Sequence, residues 1–153
     1  MTPATVTFDA LEIGAQGRSG GRTLTEADLS FSCMISGGWH PIHADSEFAR
    51  GTALGQRILH GSYCLMIATG LAADLPNLGR AVITDLGVRD WRYLQPVFAG
   101  DTLYAEVEII GKRVTSNPAR GVLERRIKLV KASGAVAHEG ISALLIEREV
   151  TTQ

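Results

Sequence analysis

This chain has no excess of either charge: fifteen lysines and arginines stand against sixteen aspartates and glutamates, a formal net charge of −1. Mixed-sign runs such as Glu124-Arg125-Arg126 and Glu147-Arg148-Glu149 build no single-sign face, which argues against nucleic acid or an anionic membrane as the main partner. Cysteine is scarce. Cys33 and Cys64 lie inside apolar segments without C-x-x-C spacing, so no disulfide scaffold is expected and both read as small buried hydrophobes. A reduced cytoplasm suits them. Long hydrophobic runs are also lacking: the longest uncharged apolar stretch, residues 58–73, contains His60 and falls short of the ~20 residues a membrane-spanning helix needs. Residues 1–15 carry Asp9 and Glu12 and have neither a basic start nor a sustained apolar run, so no secretory signal is read there and a cytoplasmic location is expected.

What is present is the composition of an ordinary globular protein, 45% hydrophobic and 20% charged, in 153 residues. That length suits one core and one domain, residues 1–153, with no internal repeat and no linker. Thr25, followed by Glu26 and Asp28, predicts a helix start, and Gly37-Gly38 predicts its end near Ser36. Pro41 pushes His40 out of the α region, so an irregular segment is expected there, followed by a short helix capped by Asp45 and ending by Gly51. From Gly61 the pattern is apolar nearly all round until Pro76 and Gly79, which predicts a helix wrapped by other structure. After Gly79 the chain reads as strands. Leu103, Ala105, Val107 and Ile109 alternate with polar neighbours, as do Leu123, Ile127 and Leu129, with Arg125 as the interruption. The order predicts an α+β domain whose largely antiparallel sheet covers the buried helix. Residues 1–4 and 150–153 are expected to fray.

Several catalytic signatures are absent. The glycines at 14, 17, 20 and 21 are not spaced G-x-G-x-x-G, no G-K-[ST] follows them, no H-E-x-x-H occurs, and neither Ser36-Gly37-Gly38 nor Gly61-Ser62-Tyr63 supplies a G-x-S-x-G elbow. Three of four histidines, His40, His43 and His60, nevertheless cluster around the irregular segment. No metal site is expected of them. His138, inside a late strand, reads as a satisfied structural group.

The segment Ser36-Gly37-Gly38-Trp39-His40-Pro41-Ile42-His43-Ala44-Asp45, then Phe48-Ala49, Arg57-Ile58-Leu59-His60-Gly61 and Gln95-Pro96-Val97-Phe98-Ala99-Gly100-Asp101-Thr102-Leu103, resembles the MaoC-like dehydratase family in spacing and order. The resemblance extends from Leu11 to Glu147. It implies a hotdog fold, an antiparallel sheet wrapped around a long central helix, assembled as a homodimer or a higher oligomer of dimers. It also implies action on acyl thioesters of coenzyme A or acyl carrier protein, by reversible hydration as in (R)-specific enoyl-CoA hydratases. No cofactor is implied, since coenzyme A enters as part of the substrate.

Within that resemblance the family motif D-x-[NH]-P-x-H places its histidine on His43, its proline on Pro41 and its Asn or His on His40. The aspartate position falls on Gly38. The resemblance makes His43 the general base, leaves His40 as a second polar contact to water, and assigns the Gly61 backbone N–H as an oxyanion donor at a helix start. Gly38, Trp39, Pro41, His60 and Thr69 are the expected substrate-binding positions. His60 is expected to act by positioning the turn before Gly61. Because glycine cannot hold water or move a proton, two other readings stand beside hydration: a catalytically weak acyl-CoA binding module, and a hotdog thioesterase. Asp45, Asp85 and Asp90 read as a helix cap and surface acids rather than as substitutes for the missing carboxylate.

Overall fold

The computed structural model describes residues 6–148, and the expected fraying at 1–4 and 150–153 lies outside the described residues. Three long strands carry the alternation expected of them: β4 (Thr102–Val114), β5 (Arg120–Lys131) and β6 (Val136–Glu147). They pair antiparallel in sequence order, and β3 (Val82–Tyr93) returns to the far side of β6. Two short strands, β1 (Gln16–Arg18) and β2 (Arg22–Thr23), line the other side of β4 and complete a six-stranded sheet. Helices before strands was the expected order, and these two are the exception. They are too short for a period, and they are held by register, Gln16 opposite Glu108 and Arg22 opposite Leu103, with an Arg18–Glu106 ion pair at 3.1 Å.

Among the described residues four α-helices precede β3, α1 (Glu26–Ser36), α2 (Pro41–Ala44), α3 (Ser46–Arg50) and α4 (Gly61–Leu71), with a 3-10 turn at Gly79–Ala81. The expected caps are in place. The Thr25 backbone N–H donates to Asp28 Oδ2 at 2.8 Å, and Asp45 Oδ1 accepts from the Glu47 and Phe48 N–H groups at 2.9 and 3.0 Å. Asp28 also ties α1 to α4, because the Tyr63 hydroxyl donates to Oδ1 at 2.9 Å while Arg22 approaches the same oxygen at 2.6 Å. Burial works against its charge, but the bonds from Thr25, Tyr63 and Arg22 outweigh it and hold the carboxyl below the usual carboxylate range.

The core lies where α4 crosses the sheet. Cys64, Ile67, Ala68 and Ala72 pack on Leu103, Ala105, Val107, Ile127 and Leu129. Their spacing of three and four puts them on one helical face. The opposite face is not wrapped within one chain, and Met66 is 54% exposed. The helix also ends earlier than the apolar pattern suggested, at Leu71, with Ala72 as its C-cap. There Arg125 reaches in from β5, a buried arginine on the inner face at the position where the apolar alternation breaks. Strict period two sends it inward with Leu123 and Ile127, and the carbonyls of Ala72 and Leu75, at and just past the helix end, give its donors partners.

Candidate active site

The site is assembled by two turns of chain on either side of α3. Helix α1 stops at Gly37, whose φ of 67° is the left-handed C-cap that a residue without Cβ adopts most easily. The Gly38 N–H then donates to Ser36 Oγ at 3.1 Å. His40 has extended backbone, as Pro41 demands, yet Pro41 itself opens the one-turn helix α2 where an irregular segment was expected. The reason is local: proline lacks an N–H that the first helical position would leave unused, and its φ is already helical. That turn carries His43 toward the chain before α4. There the Ile58 N–H donates to the Ile42 carbonyl at 3.2 Å, and the Leu59 N–H donates to the Val97 carbonyl at 2.9 Å.

Two imidazoles meet across this junction. His43 and His60 stack with ring centroids 3.7 Å apart at an interplanar angle of 27°. Their tautomers follow from their partners, since a carbonyl can only accept. His43 Nδ1 lies 2.7 Å from the Ile58 carbonyl oxygen and so carries its proton, leaving the lone pair on Nε2. His60 Nε2 lies 2.8 Å from the Gly38 carbonyl oxygen and carries its proton, leaving the lone pair on Nδ1. Burial lowers the His60 pKa, the neighbouring His43 lowers it further, and the bond to Gly38 partly offsets both. His60 is therefore disposed to stay neutral.

His43 opens on a groove of about 490 Å³ that is also lined by Gly61, Ser62, Tyr93, Gln95 and His138. Gly61 begins α4, and no side chain caps that helix start. Its amides and the helix dipole therefore favour a negative oxygen there. Tyr93 lies against that glycine: a Cβ at position 61 would stand 2.4 Å from Tyr93 Cε1 and would have to push the ring aside. Neither Tyr93 nor the groove-facing place of His138 was singled out in the sequence. The aromatic after Trp91-Arg92 and the polar residue on an apolar strand were the only available signals. The His138 side chain is buried and half satisfied, with a hydrogen bond to the Gln95 backbone while Nδ1 lacks a hydrogen-bond partner, so the expectation of a satisfied group holds for one nitrogen of the ring.

The remaining candidates are more dispersed. His40 is exposed and its Nδ1 accepts from the Ile42 N–H at 3.2 Å, capping α2; its ring stands 6.4 Å from that of His43. Trp39 and Pro41 are exposed on the same turn. Thr69 lies two turns along α4 from Gly61, where its hydroxyl turns back to the Leu65 and Met66 carbonyls at 3.1 and 3.0 Å. Gly38 borders the His60 ring: a Cβ there would stand 2.7 Å from His60 Cε1 and 3.2 Å from Ser36 Oγ. Asp45 is a helix cap, and Asp85 and Asp90 are exposed on β3. Cys33 and Cys64 are both buried, and burial pushes the Cys64 thiol up to about 12. Among the described residues no group of three or more His, Cys, Asp or Glu is arranged to hold a metal ion.

Comparison with known proteins places this geometry. A family model described as "MaoC like domain" matches residues 11–129. The chain belongs to the MaoC-like family. Among its relatives, the (R)-specific enoyl-CoA hydratase of Aeromonas caviae is 30% identical over 105 residues, 68% of this chain and 75% of that protein. Two other curated relatives are longer, and the MaoC-like chain spans 34% of one and 37% of the other. A solved structure described as a monoamine oxidase regulatory protein of Archaeoglobus fulgidus has a TM-score of 0.87 at 30% identity, covering 97% of this chain and 99% of that one. A Mycobacterium tuberculosis protein with a double hotdog fold has a TM-score of 0.84 at 20% identity, over 97% of this chain and 46% of that one, a likeness of fold alone. The expected hotdog fold is thus the observed one: an antiparallel sheet across a single central helix.

Proposed function

We propose that this MaoC-like domain adds water to 2-enoyl thioesters and removes it from 3-hydroxyacyl thioesters. The observation that carries the reading is the fixed tautomer of His43, whose Nδ1–H is spent on the Ile58 carbonyl at 2.7 Å while the ring lines a groove shared with the uncapped start of α4. A relative named for (R)-specific enoyl-CoA hydration supports it. In the forward direction His43 Nε2 takes a proton from water as the water oxygen bonds to C3. The C2=C3 electron pair moves toward the thioester carbonyl, whose growing negative charge the Gly61 N–H and the helix start stabilise. The proton on His43 then passes to C2, so the elements of one water molecule are added and His43 is regenerated. His40 holds the turn that carries His43, and Trp39, Pro41 and Thr69 fall to substrate contacts.

The same reading assigns a homodimer built from one domain, acting in the cytoplasm without a bound cofactor. Strand β3 is an edge strand exposed along its length, with Ile83, Leu86 and Val88 uncovered, and Met66 leaves the outer face of α4 uncovered as well. Edge-to-edge pairing of two sheets would cover both. The double hotdog neighbour, of which this chain covers 46%, supports that arrangement. No described helix is long and apolar enough to cross a membrane.

The test is an assay of purified protein on crotonyl-CoA and longer 2-enoyl-CoAs, following loss of the conjugated thioester absorbance. Turnover by the natural chain, and its loss by about 10²-fold or more in His43→Ala with dimer mass and far-UV circular dichroism unchanged, is the expected result. A second reading rests on Gly38, which removes the motif carboxylate: binding of the acyl thioester without turnover would make the domain an acyl-CoA binding module.

A further inference from the structure

We infer that His60 is a second catalytic imidazole, whose Nδ1 lone pair holds the attacking water in the place left by the missing side chain at position 38. The inference rests on the hydration reading above and concerns how a site without the motif carboxylate completes its water-binding pair. Three observations meet on this one ring. A Cβ at position 38 would lie 2.7 Å from His60 Cε1 and 3.5 Å from Nδ1, so the ring's unprotonated edge borders the space that a side chain there would occupy. The Nε2–H is committed to the Gly38 carbonyl at 2.8 Å, which fixes Nδ1 as an acceptor. The stack on His43, 3.7 Å between centroids, keeps the two imidazoles side by side, each with one N–H spent on a carbonyl and one nitrogen lone pair left to accept.

The alternative partner for water is poorer. His40 spends its Nδ1 on the Ile42 N–H, is exposed, and stands 6.4 Å from His43 between centroids. In the hydration step His60 accepts the hydrogen of water that is not transferred. That hydrogen stays on the product hydroxyl, so the balance of the reaction is unchanged. A lowered His60 pKa keeps this acceptor available at neutral pH, and the protonated ring would have no lone pair to offer.

Two near-isosteres separate this role from support of the loop. His60→Gln can place an amide N–H where Nε2–H stands and so keep the bond to Gly38, but it offers nothing at the Nδ1 position. His60→Asn can place its carbonyl oxygen near the Nδ1 position and gives up the Gly38 bond. With crotonyl-CoA as substrate, His60→Gln is expected to fold and to keep the natural thermal midpoint within a few degrees while losing on the order of 10²-fold in kcat. His60→Asn is expected to retain at least ten times more kcat than His60→Gln despite lower stability. Gly38→Ala, whose methyl must push the ring, should also lose activity while folding. Natural kcat in His60→Gln, or equal losses in the two variants, would show that the ring only supports the loop and would overturn the inference while leaving hydration by His43 standing. Absence of turnover in the natural chain would overturn both.

Discussion

Arg125 Nη1 donates to the Ala72 carbonyl at 2.9 Å, setting a buried guanidinium on the end of the helix whose other end lines the site. The same nitrogen reaches the Leu75 carbonyl at 2.9 Å, and Nε donates to Ser142 Oγ at 3.3 Å. Burial lowers the guanidinium pKa, with Asp85 opposing it, but arginine stays charged and complements the negative helix terminus.

Arg125→Met is therefore expected to be destabilised, by about 1–3 kcal/mol for a buried acceptor left without its donor. Arg125→Lys should recover only part of this, because an ammonium cannot reproduce the planar fork that reaches two carbonyls and a hydroxyl. Urea unfolding of the three proteins checks it. Equal midpoints for arginine and methionine would show that the polar contacts contribute nothing net, as happens when a buried charge is replaced by well-packed apolar groups.

Gly61 and Tyr93 make a second pair with a measurable coupling. A methyl on Gly61 would meet Tyr93 at 2.4 Å, but Tyr93 is 60% exposed and has room to turn away. Gly61→Ala should lose about 1–3 kcal/mol from overpacking and most of its hydration activity, through displacement of the groove wall beside the helix start. In the Tyr93→Ala background the same glycine change should lose markedly less stability, a coupling that a double-mutant cycle by thermal denaturation reads directly. Additive losses would mean that the two residues do not meet in this way.

The difference between what the chain announces and what it conceals is one of range. Caps act over three or four residues, so Thr25 and Asp45 marked their helices correctly. Period two is local as well, which is why the faces of β4 and β5 were legible down to Leu103 and Leu129. The glycine that begins α4 and the histidine in α2 could be brought into one site only through the family resemblance, since the contacts that place their segments, Ile58 with Ile42 and Leu59 with Val97, span from about fifteen to about forty residues. Arg125 looked like an interruption because its partners at Ala72 and Leu75 lie about fifty positions away. His60 was read as a turn residue because nothing near it in sequence shows that its ring borders Gly38, twenty-two positions upstream.

Gly38 offers the test that joins the site's chemistry to its packing. Its φ is not in the left-handed region, so no backbone strain opposes a side chain there. The obstacle is His60, at 2.7 Å from the added Cβ. Gly38→Asp should displace that ring and set a carboxylate beside His43, with a gain in crotonyl-CoA hydration on the order of 10²-fold. The variant should also cease to depend on His60, so that His60→Gln costs little in the aspartate background and much in the glycine one. A folded Gly38→Asp protein with no gain would send the functional reading to the acyl-CoA binding module.

His138 makes the fold itself sensitive to acid. Its side chain is 3% exposed, it stands edge-on to Tyr93 at 5.0 Å, and its Nδ1 has no hydrogen-bond partner. Burial lowers its pKa to about 4, Lys131 adds to the shift, and a hydrogen bond to the Gln95 backbone opposes it. The unfolded chain binds this proton near pH 6.5 and the native chain refuses it until about pH 4, so stability is full above that window and falls as pH drops through it. His60, also lowered, contributes in the same direction, while the depressed carboxyl of Asp28 takes effect only below the ordinary aspartate range. His138→Val should therefore flatten the decline in thermal midpoint between pH 6.5 and 4 without abolishing it. At pH 7 it should be less stable than the natural protein by about 1–3 kcal/mol, because the buried hydrogen bond to the Gln95 backbone is lost with the imidazole. Parallel pH profiles for the two proteins would mean that another group carries the acid sensitivity, and equal stability at pH 7 would mean that the bond to Gln95 contributes nothing net.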